Sequence, residues 1–140
     1  MNKLKVIILA GGQGTRMKSK IPKVLHKVLD KTMIDYVIET SKDINAEDIM
    51  VIVGHQSAMV KSIVGENVKY AYQKEQLGTG HAVIQALDFI EDNENILILY
   101  GDTPLIQAET LKKLINIHNK YINYATVISS FVDDPKGYGR

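Results

Sequence analysis

The sequence predicts an α/β fold with a Rossmann-like, doubly wound and mostly parallel sheet that carries helices on both faces. Three short apolar runs support this prediction: VIILA at 6–10, IMVIV at 49–53 and ILILY at 96–100. Because the runs are continuous rather than alternating, they are typical of strands buried on both faces of a parallel sheet. Helical hydrophobic patterns lie between them, and this alternation of strands and helices predicts a doubly wound sheet.

Two further strands and four helices complete the predicted order. VKYAY at 68–72 and ATVISSFV at 125–132 are the additional strands. Apolar residues at helical spacing predict one helix after each of the first four strands. The predicted buried faces of these helices are Ile34, Val37, Ile38 and Ser41; Val60, Ile63 and Val64; Val83, Ile84 and Leu87; and Leu111, Leu114, Ile115 and His118.

The composition indicates a folded cytoplasmic protein whose partner is a small molecule. The 140 residues suit one domain, and 45% hydrophobic with 24% charged residues is ordinary globular usage. A net charge of +1 offers no general surface for nucleic acid or membranes. The absence of cysteine excludes disulfides, thiolate catalysis and cysteine-ligated zinc. The apolar run at 6–10 is too short for a secretory leader, and no run reaches the length of a membrane span.

The glycine-rich and polar segments each follow a predicted strand. They read AGGQGTR, GHQ, QKEQLGTG and YGDTP in chain order. Because parallel strands present their carboxyl ends at one edge of the sheet, we expect these segments to gather there. The four histidines show no zinc-type spacing and no Ser-His-Asp arrangement, so no chemistry is assigned to them.

The first loop has the composition of a phosphate-binding loop but fits neither common motif. A dinucleotide fingerprint starting at Gly12 would need glycine where Met17 stands, and the Gly-Lys-Ser/Thr of a P-loop does not occur. What remains is Gly14-Thr15-Arg16 followed by Pro22-Lys23, with cations suited to phosphate oxygens. The alternative is a plain turn followed by a solvated face of lysines, Lys18, Lys20, Lys23 and Lys27.

Asp102 has two interpretations. It ends the most hydrophobic strand, where a carboxylate requires a partner, and Mg2+ prefers one or two carboxylates together with phosphate oxygens. The alternative is a helix N-cap ahead of Pro104.

Four motifs in register resemble a known family. LAGGQGTRMKSKIPKVLHKV is similar to the nucleotide-binding signature of sugar-phosphate nucleotidyltransferases, and YQKEQLGTGHAV, YGDTPLI and the final GYGR resemble the bacterial N-acetylglucosamine-1-phosphate uridylyltransferases among them. The resemblance implies the nucleotide-diphospho-sugar transferase fold. It also implies transfer of UMP from UTP to N-acetylglucosamine-1-phosphate, giving UDP-N-acetylglucosamine for cell-wall precursors, with Mg2+ as cofactor.

The resemblance also implies roles for individual residues. It implies Arg16, Lys23 and Asp102 as catalytic residues, Asp102 as the metal ligand and Gly137 as a residue that contacts the sugar phosphate. Gln73, Gly78 and Thr79 match the group that reads the uracil. The whole implied nucleotide site consists of Leu9, Ala10, Gly11, Gly12, Gly14, Thr15, Arg16, Lys23, Gln73, Gly78, Thr79, Tyr100, Gly101 and Asp102.

The same resemblance sets the expected extent of the domain. Residues 1–140 match the N-terminal portion of the uridylyltransferase domain, so the fold is expected to be incomplete at its C-terminus and to lack the acetyltransferase β-helix domain. Two alternatives stay open: a module that binds UTP or a nucleotide sugar without turnover, and a nucleotidyltransferase for another base or sugar phosphate. Unpaired sheet edges are expected to favour self-association.

Overall fold

The computed structural model describes residues 3–12, 14, 17–134 and 136–137. Contacts divide the chain into two compact units, Met1–Ala108 and Glu109–Arg140. In chain order the elements are β1 (Leu4–Ala10), the short strands β2 (Lys27–Val28) and β3 (Lys31–Thr32), α1 (Met33–Asp43), β4 (Asp48–Val53), α2 (Ser57–Val64), β5 (Lys69–Tyr72), α3 (Thr79–Ile84), β6 (Asn95–Tyr100) and α4 (Ala108–Tyr121), with 3-10 turns at Lys23–Leu25 and Leu87–Phe89.

The first unit contains a parallel four-stranded sheet in the order β5-β4-β1-β6. The chain proceeds outward from β1 through β4 to β5 and then returns to pair β6 with the other side of β1. This reversal is the topological switch point of a doubly wound sheet, and it lies between β1 and β6. The predicted fold class and the first four predicted strands are confirmed, whereas the β2–β3 hairpin was not predicted.

Helices cover both faces of the sheet. On one face, Ile7 and Ile52 form a buried cluster with Ala82, Ala86 and Phe89. Alternate strand residues point to the opposite face, and there the neighbouring β1 residues are also completely buried. Helix α1 contacts β1 and buries the face that the sequence predicts, Ile34, Val37, Ile38 and Ser41.

A capping box fixes the start of α1. The Thr32 hydroxyl accepts a hydrogen bond from the Asp35 backbone N–H, and the Asp35 carboxylate accepts one from the Thr32 N–H. These two bonds satisfy backbone donors that a helix start otherwise leaves unpaired. The helix that follows the first loop and hairpin therefore begins at a defined residue.

The predicted buried face of α3 is wrong in part. Ile84 and Leu87 are 56% and 58% exposed, and the buried residues are Ala82 and Ala86. The helix ends at Ile84 and a 3-10 turn follows, so helical spacing does not continue to Leu87. Small alanine side chains face the sheet and give a weak hydrophobic signal in sequence. Ile63 of α2, also predicted as buried, is exposed as well.

The second unit holds most of α4, whose predicted residues Leu111, Leu114, Ile115 and His118 are its less exposed positions. The predicted strand at 125–132 does not form, because the described residues there have no regular secondary structure. Val127 and Phe131 are largely exposed. Strand propensity cannot produce a strand unless a neighbouring strand pairs with its backbone.

A buried ion pair anchors the start of β1. Lys5, which is 6% exposed, lies 2.8 Å from a Glu94 carboxylate oxygen and donates to the Phe89 carbonyl at 2.9 Å. The hydrogen bond from Lys5 holds the pKa of the Glu94 carboxyl below its ordinary value. The pair therefore satisfies a lysine that occupies an otherwise apolar face of the sheet. Among the described residues, no helix combines the length and apolarity needed to cross a bilayer.

Candidate active site

The loops that follow the four parallel strands meet at one edge of the sheet. The Gly101 N–H donates to the Leu9 carbonyl at 2.9 Å, and the Gln73 N–H donates to the Val53 carbonyl at 2.8 Å. These bonds continue the pairing of β6 with β1 and of β5 with β4 beyond the strands. The predicted gathering of the glycine-rich and polar segments is confirmed, and it coincides with the switch point where doubly wound proteins bind ligands.

Close backbone approach at this edge requires glycine. A Cβ added to Gly54 would lie 2.4 Å from the Gly11 carbonyl oxygen and 2.8 Å from Nε2 of Gln76. One added to Gly101 would lie 3.0 Å from a methyl group of Val24. The ends of β1, β4 and β6 therefore approach more closely than side chains would allow.

An ion pair joins the loop after β1 to the loop after β6. Lys23 Nζ donates to Asp102 Oδ2 at 2.7 Å, with both side chains partly exposed. Lys23 begins the 3-10 turn after Pro22. The backbone at Gly14 is left-handed, with φ of +56°, and a Cβ there would meet the Lys23 Cβ at 3.0 Å. The structure therefore brings a predicted phosphate-binding cation and the predicted metal ligand together.

The Lys23–Asp102 ion pair tests two alternative interpretations of the sequence. One is that the lysines of the first loop form a solvated face, and the other is that Asp102 is a helix N-cap. Lys18, Lys20 and Lys27 are exposed, as a solvated face requires, but Lys23 differs because it is half-buried against Asp102. The N-cap interpretation of Asp102 is wrong, because Gly101 and Asp102 form a turn and α4 begins only at Ala108. The strand-end carboxylate therefore has its partner in a cation from another loop.

Gln73 is a buried polar side chain at the end of β5. It is 3% exposed, although a residue in such a loop is more often exposed. Its Nε2 donates to the Gly78 carbonyl at 3.2 Å and lies 3.1 Å from Nδ1 of His81. On its other side, Oε1 would meet a Cβ at Gly11 at 3.0 Å. Gln73 thus links the QLGTG segment to the glycine loop after β1.

A pocket of about 380 Å³ opens beside the glycine loop. Gln56 helps to form it, since its Nε2 donates to the Lys20 carbonyl at 2.9 Å and ties the loop after β4 to the loop after β1. The pocket is lined by Ala10, Gly11, Gly12, Gly14, Lys18, Ser19, Pro22, Gly54, His55, Gln56 and Val60. It is large enough for part of a nucleotide-sized ligand.

The remaining predicted residues are distributed as follows. Gly78 precedes α3 with a φ of +102°, and Thr79 is the exposed first residue of that helix. Tyr100 ends β6 and is half-exposed. Gly137 belongs to the second unit, with a φ of +86°, and a Cβ added there would meet nothing within 4 Å. Thr15 and Arg16 lie outside the described residues.

Asp102 is the carboxylate at this edge that the sequence predicts as a ligand for a divalent cation. Within the described part of the chain there is no group of three or more histidine, cysteine, aspartate or glutamate side chains that could hold a metal by themselves. Asp102 supplies hard oxygen ligands at a partly exposed position. Mg2+ is commonly bound by one or two carboxylates with substrate phosphates and water, so the donor chemistry fits Mg2+ only together with a phosphate ligand.

Three residues of this region were not predicted from the sequence as site residues. His81 contacts Gln73, while His55 and Gln56 line the pocket. The segment GHQ directly follows β4, so its position in the sequence could have identified His55 and Gln56 as candidate site residues. His81 carried no comparable signal, because its contact with Gln73 depends on how α3 turns back over the end of β5.

The family model of the MobA-like NTP transferase domain matches residues 6–134. The chain belongs to this NTP transferase family. The predicted membership of a nucleotidyltransferase superfamily is thereby confirmed.

Individual relatives agree with the family. This NTP transferase chain is 53% identical over 140 residues to the bifunctional protein GlmU of Thermoanaerobacter pseudethanolicus, covering 100% of the chain and 31% of the relative. It is 52% identical over 138 residues to the bifunctional protein GlmU of Clostridioides difficile, covering 97% and 30%. The chain thus spans about a third of the length of these curated relatives.

A solved structure shares the fold. The crystal structure of a UDP-glucose pyrophosphorylase complexed with UDP-glucose superposes with a TM-score of 0.73 at 24% sequence identity, covering 87% of this chain and 55% of that one. At this identity the likeness supports the fold alone, and it confirms the prediction of a nucleotide-diphospho-sugar transferase fold.

Proposed function

We propose that this chain is the nucleotide-binding part of an enzyme that transfers UMP from UTP to N-acetylglucosamine-1-phosphate, producing UDP-N-acetylglucosamine and pyrophosphate. The observation that carries the proposal is the Lys23–Asp102 pair at 2.7 Å, located at the switch point between β1 and β6. About half of the residues of the whole chain are identical to those of the GlmU relatives, which supports this reaction over transfer to another sugar.

The proposed reaction needs no protein nucleophile. A phosphate oxygen of the sugar phosphate attacks the α-phosphorus of UTP, and the bond between that phosphorus and the pyrophosphate oxygen breaks. Because the substrate supplies the attacking atom, the protein contributes positioning and charge neutralisation. Arg16 and Lys23 are the proposed cations for the phosphates, and Gly137 is proposed to contact the sugar phosphate.

Lys23 and Asp102 would exchange partners when the nucleotide binds. In the described structure each neutralises the other. A triphosphate offers Lys23 a more highly charged partner, and its departure frees both Asp102 oxygens. When bound, Mg2+ would neutralise negative charge on the phosphate oxygens, and Asp102 is the proposed residue to hold it.

The base would lie near Gln73. Its buried amide is supported by Gly78 and His81, and its oxygen faces the glycine loop after β1. The amide oxygen suits a pyrimidine edge because it can accept a hydrogen bond from a base N–H. Glycines at 11 and 12 leave room for the nucleotide to approach the backbone.

The direct test is pyrophosphate release from UTP and N-acetylglucosamine-1-phosphate in the presence of Mg2+. We expect Asp102→Asn to reduce the release at least about 100-fold, the size of effect found when one group that stabilises developing charge in an active site is removed. Asp92→Asn, which changes an exposed turn residue of the same unit, is the matched control and should leave the rate unchanged.

Two results would contradict this assignment. Equal rates in Asp102→Asn and the unaltered chain would show that Asp102 does not act in the reaction. Saturable UTP binding by a folded chain with no pyrophosphate release would instead support a nucleotide-binding module without turnover.

A further inference from the structure

His81 lies in hydrogen-bond contact with the buried Gln73 amide. Gln73 Nε2 contacts both the Gly78 carbonyl oxygen at 3.2 Å and His81 Nδ1 at 3.1 Å. A side-chain amide nitrogen carries two hydrogens. The two contacts therefore account for both of them if each partner is an acceptor.

The Gly78 carbonyl settles the direction of the His81 contact. A carbonyl oxygen can only accept, so the Gln73 nitrogen rather than its oxygen must face this side. His81 Nδ1 then also accepts, and a neutral imidazole that accepts at Nδ1 carries its proton on Nε2.

The Gln85 amide nitrogen lies 3.3 Å from His81 Nε2 and donates to the His81 carbonyl at 3.0 Å. A proton on Nε2 would face this second donor, so the Gln85 amide must turn away. Gln85 is only partly buried, whereas Gln73 is 3% exposed, so turning the Gln85 amide costs less than turning that of Gln73.

The opposite tautomer would reverse the amide. With a proton on Nδ1, the ring would donate to Gln73 Oε1, and Nε2 of Gln73 would turn toward Gly11. The Gly78 carbonyl would then lose its donor, which is costly beside a glutamine only 3% exposed. The tautomer of His81 and the orientation of the Gln73 amide are therefore coupled.

We propose that His81 is a positioning residue that holds Gln73 Oε1, a pure hydrogen-bond acceptor, toward the nucleotide and so selects a base that offers an imino N–H. This inference rests on the proposed function, because it assumes that the base lies beside Gln73. Uracil carries a hydrogen at N3, whereas cytosine has an unprotonated N3 that would face the same oxygen unfavourably. His81 would thus favour UTP over CTP without touching either nucleotide.

The test compares the affinities of UTP and CTP in the full 140-residue chain and three variants. His81→Leu removes the acceptor, His81→Asn keeps an oxygen near the position of Nδ1, and Gln85→Met changes the other neighbour of the ring. We expect His81→Leu to lower the UTP-to-CTP preference about three- to tenfold, the value of one ordinary hydrogen bond. His81→Asn should restore most of the preference, and Gln85→Met should retain it.

A second readout does not depend on nucleotide binding. The ¹⁵N resonances of His81 in the unliganded chain should show an unprotonated Nδ1 and a protonated Nε2. A protonated Nδ1 would overturn the inference, as would an unchanged UTP preference in His81→Leu. If His81→Leu does not fold, the UTP-to-CTP preference of His81→Asn and the ¹⁵N resonances of the His81 ring still test the inference.

The outcomes separate this inference from the proposed function. If the unaltered chain binds UTP and CTP equally well, base recognition at Gln73 fails, whatever the tautomer. If the unaltered chain prefers UTP and His81→Leu prefers it to the same degree, the proposed function stands and the role of His81 is overturned.

Discussion

Replacing Lys23 with methionine is expected to weaken UTP binding by about 10- to 100-fold, the range for a hydrogen bond between charged groups. Methionine keeps most of the length of the side chain and removes the ammonium. In the structure that ammonium is only partly buried and is held at the site by Asp102. It is therefore free to move to a phosphate without a large desolvation cost.

The same substitution is expected to leave the fold intact. Partly exposed ion pairs contribute at most about 1 kcal/mol to stability, so the free energy of unfolding should change by no more than that. Lys27→Met provides the control, because Lys27 lies in the same segment and is exposed. Calorimetric titration with UTP and urea unfolding measure the two effects. Equal losses of affinity in both variants would indicate general charge attraction and contradict a specific role for Lys23.

Gly54→Ala is expected to destabilise the fold by about 3 kcal/mol, at the upper end of the usual cost of inserting atoms into a packed site. The new Cβ would lie 2.4 Å from the Gly11 carbonyl oxygen, and relief requires a shift of backbone. Because Gly11 lies against Gln73 Oε1, such a shift should also weaken UTP binding.

Gly12→Ala is the matched control for this effect. It lies in the glycine loop, and a Cβ there would meet nothing within 4 Å. We expect its free energy of unfolding, measured with urea, to stay within about 1 kcal/mol of the unaltered chain. A Gly54→Ala variant as stable as Gly12→Ala would show that the ends of β1 and β4 are not packed as described.

Much of the fold could be predicted from local patterns. Continuous apolar runs predict β1, β4 and β6, and VKYAY predicts β5. Burial on both sheet faces explains the lack of alternation in β1 and β4, whereas β6 has Ile98 and Tyr100 about half-exposed. The face of α1 was predicted correctly since four residues at helical spacing are all buried. The sheet edge at which the loops meet followed from parallel strands alone.

Other features depend on tertiary contacts that sequence patterns do not encode. ATVISSFV at 125–132 has strand propensity but forms no strand, since propensity cannot supply a pairing partner. Ala82 and Ala86 replace Ile84 as the buried residues of the α3 region because packing favours small side chains against the sheet. Local spacing cannot show which residues approach the sheet.

In the candidate site, too, residue types could be predicted from the sequence, whereas contacts between distant segments could not. The residue types at Lys23 and Asp102 indicated phosphate and metal chemistry, but their 2.7 Å contact joins two loops far apart in sequence. The resemblance singled out Gln73, but nothing in the sequence indicated that it is buried with His81 as a neighbour. A histidine among helix residues gives no sign of such a contact until α3 is placed beside β5.

UTP binding at the carboxyl edge of the sheet, between the loops after β1, β4, β5 and β6, is the central claim. The most direct measurement is a titration with UTP followed at backbone amides by ¹H–¹⁵N correlation NMR. We expect saturable shifts at Gly11, Gly54, Gly78 and Gly101, with Gly65 at the far end of α2 unaffected. Saturable shifts confined to other residues, or the absence of any shift in a folded sample, would contradict the claim.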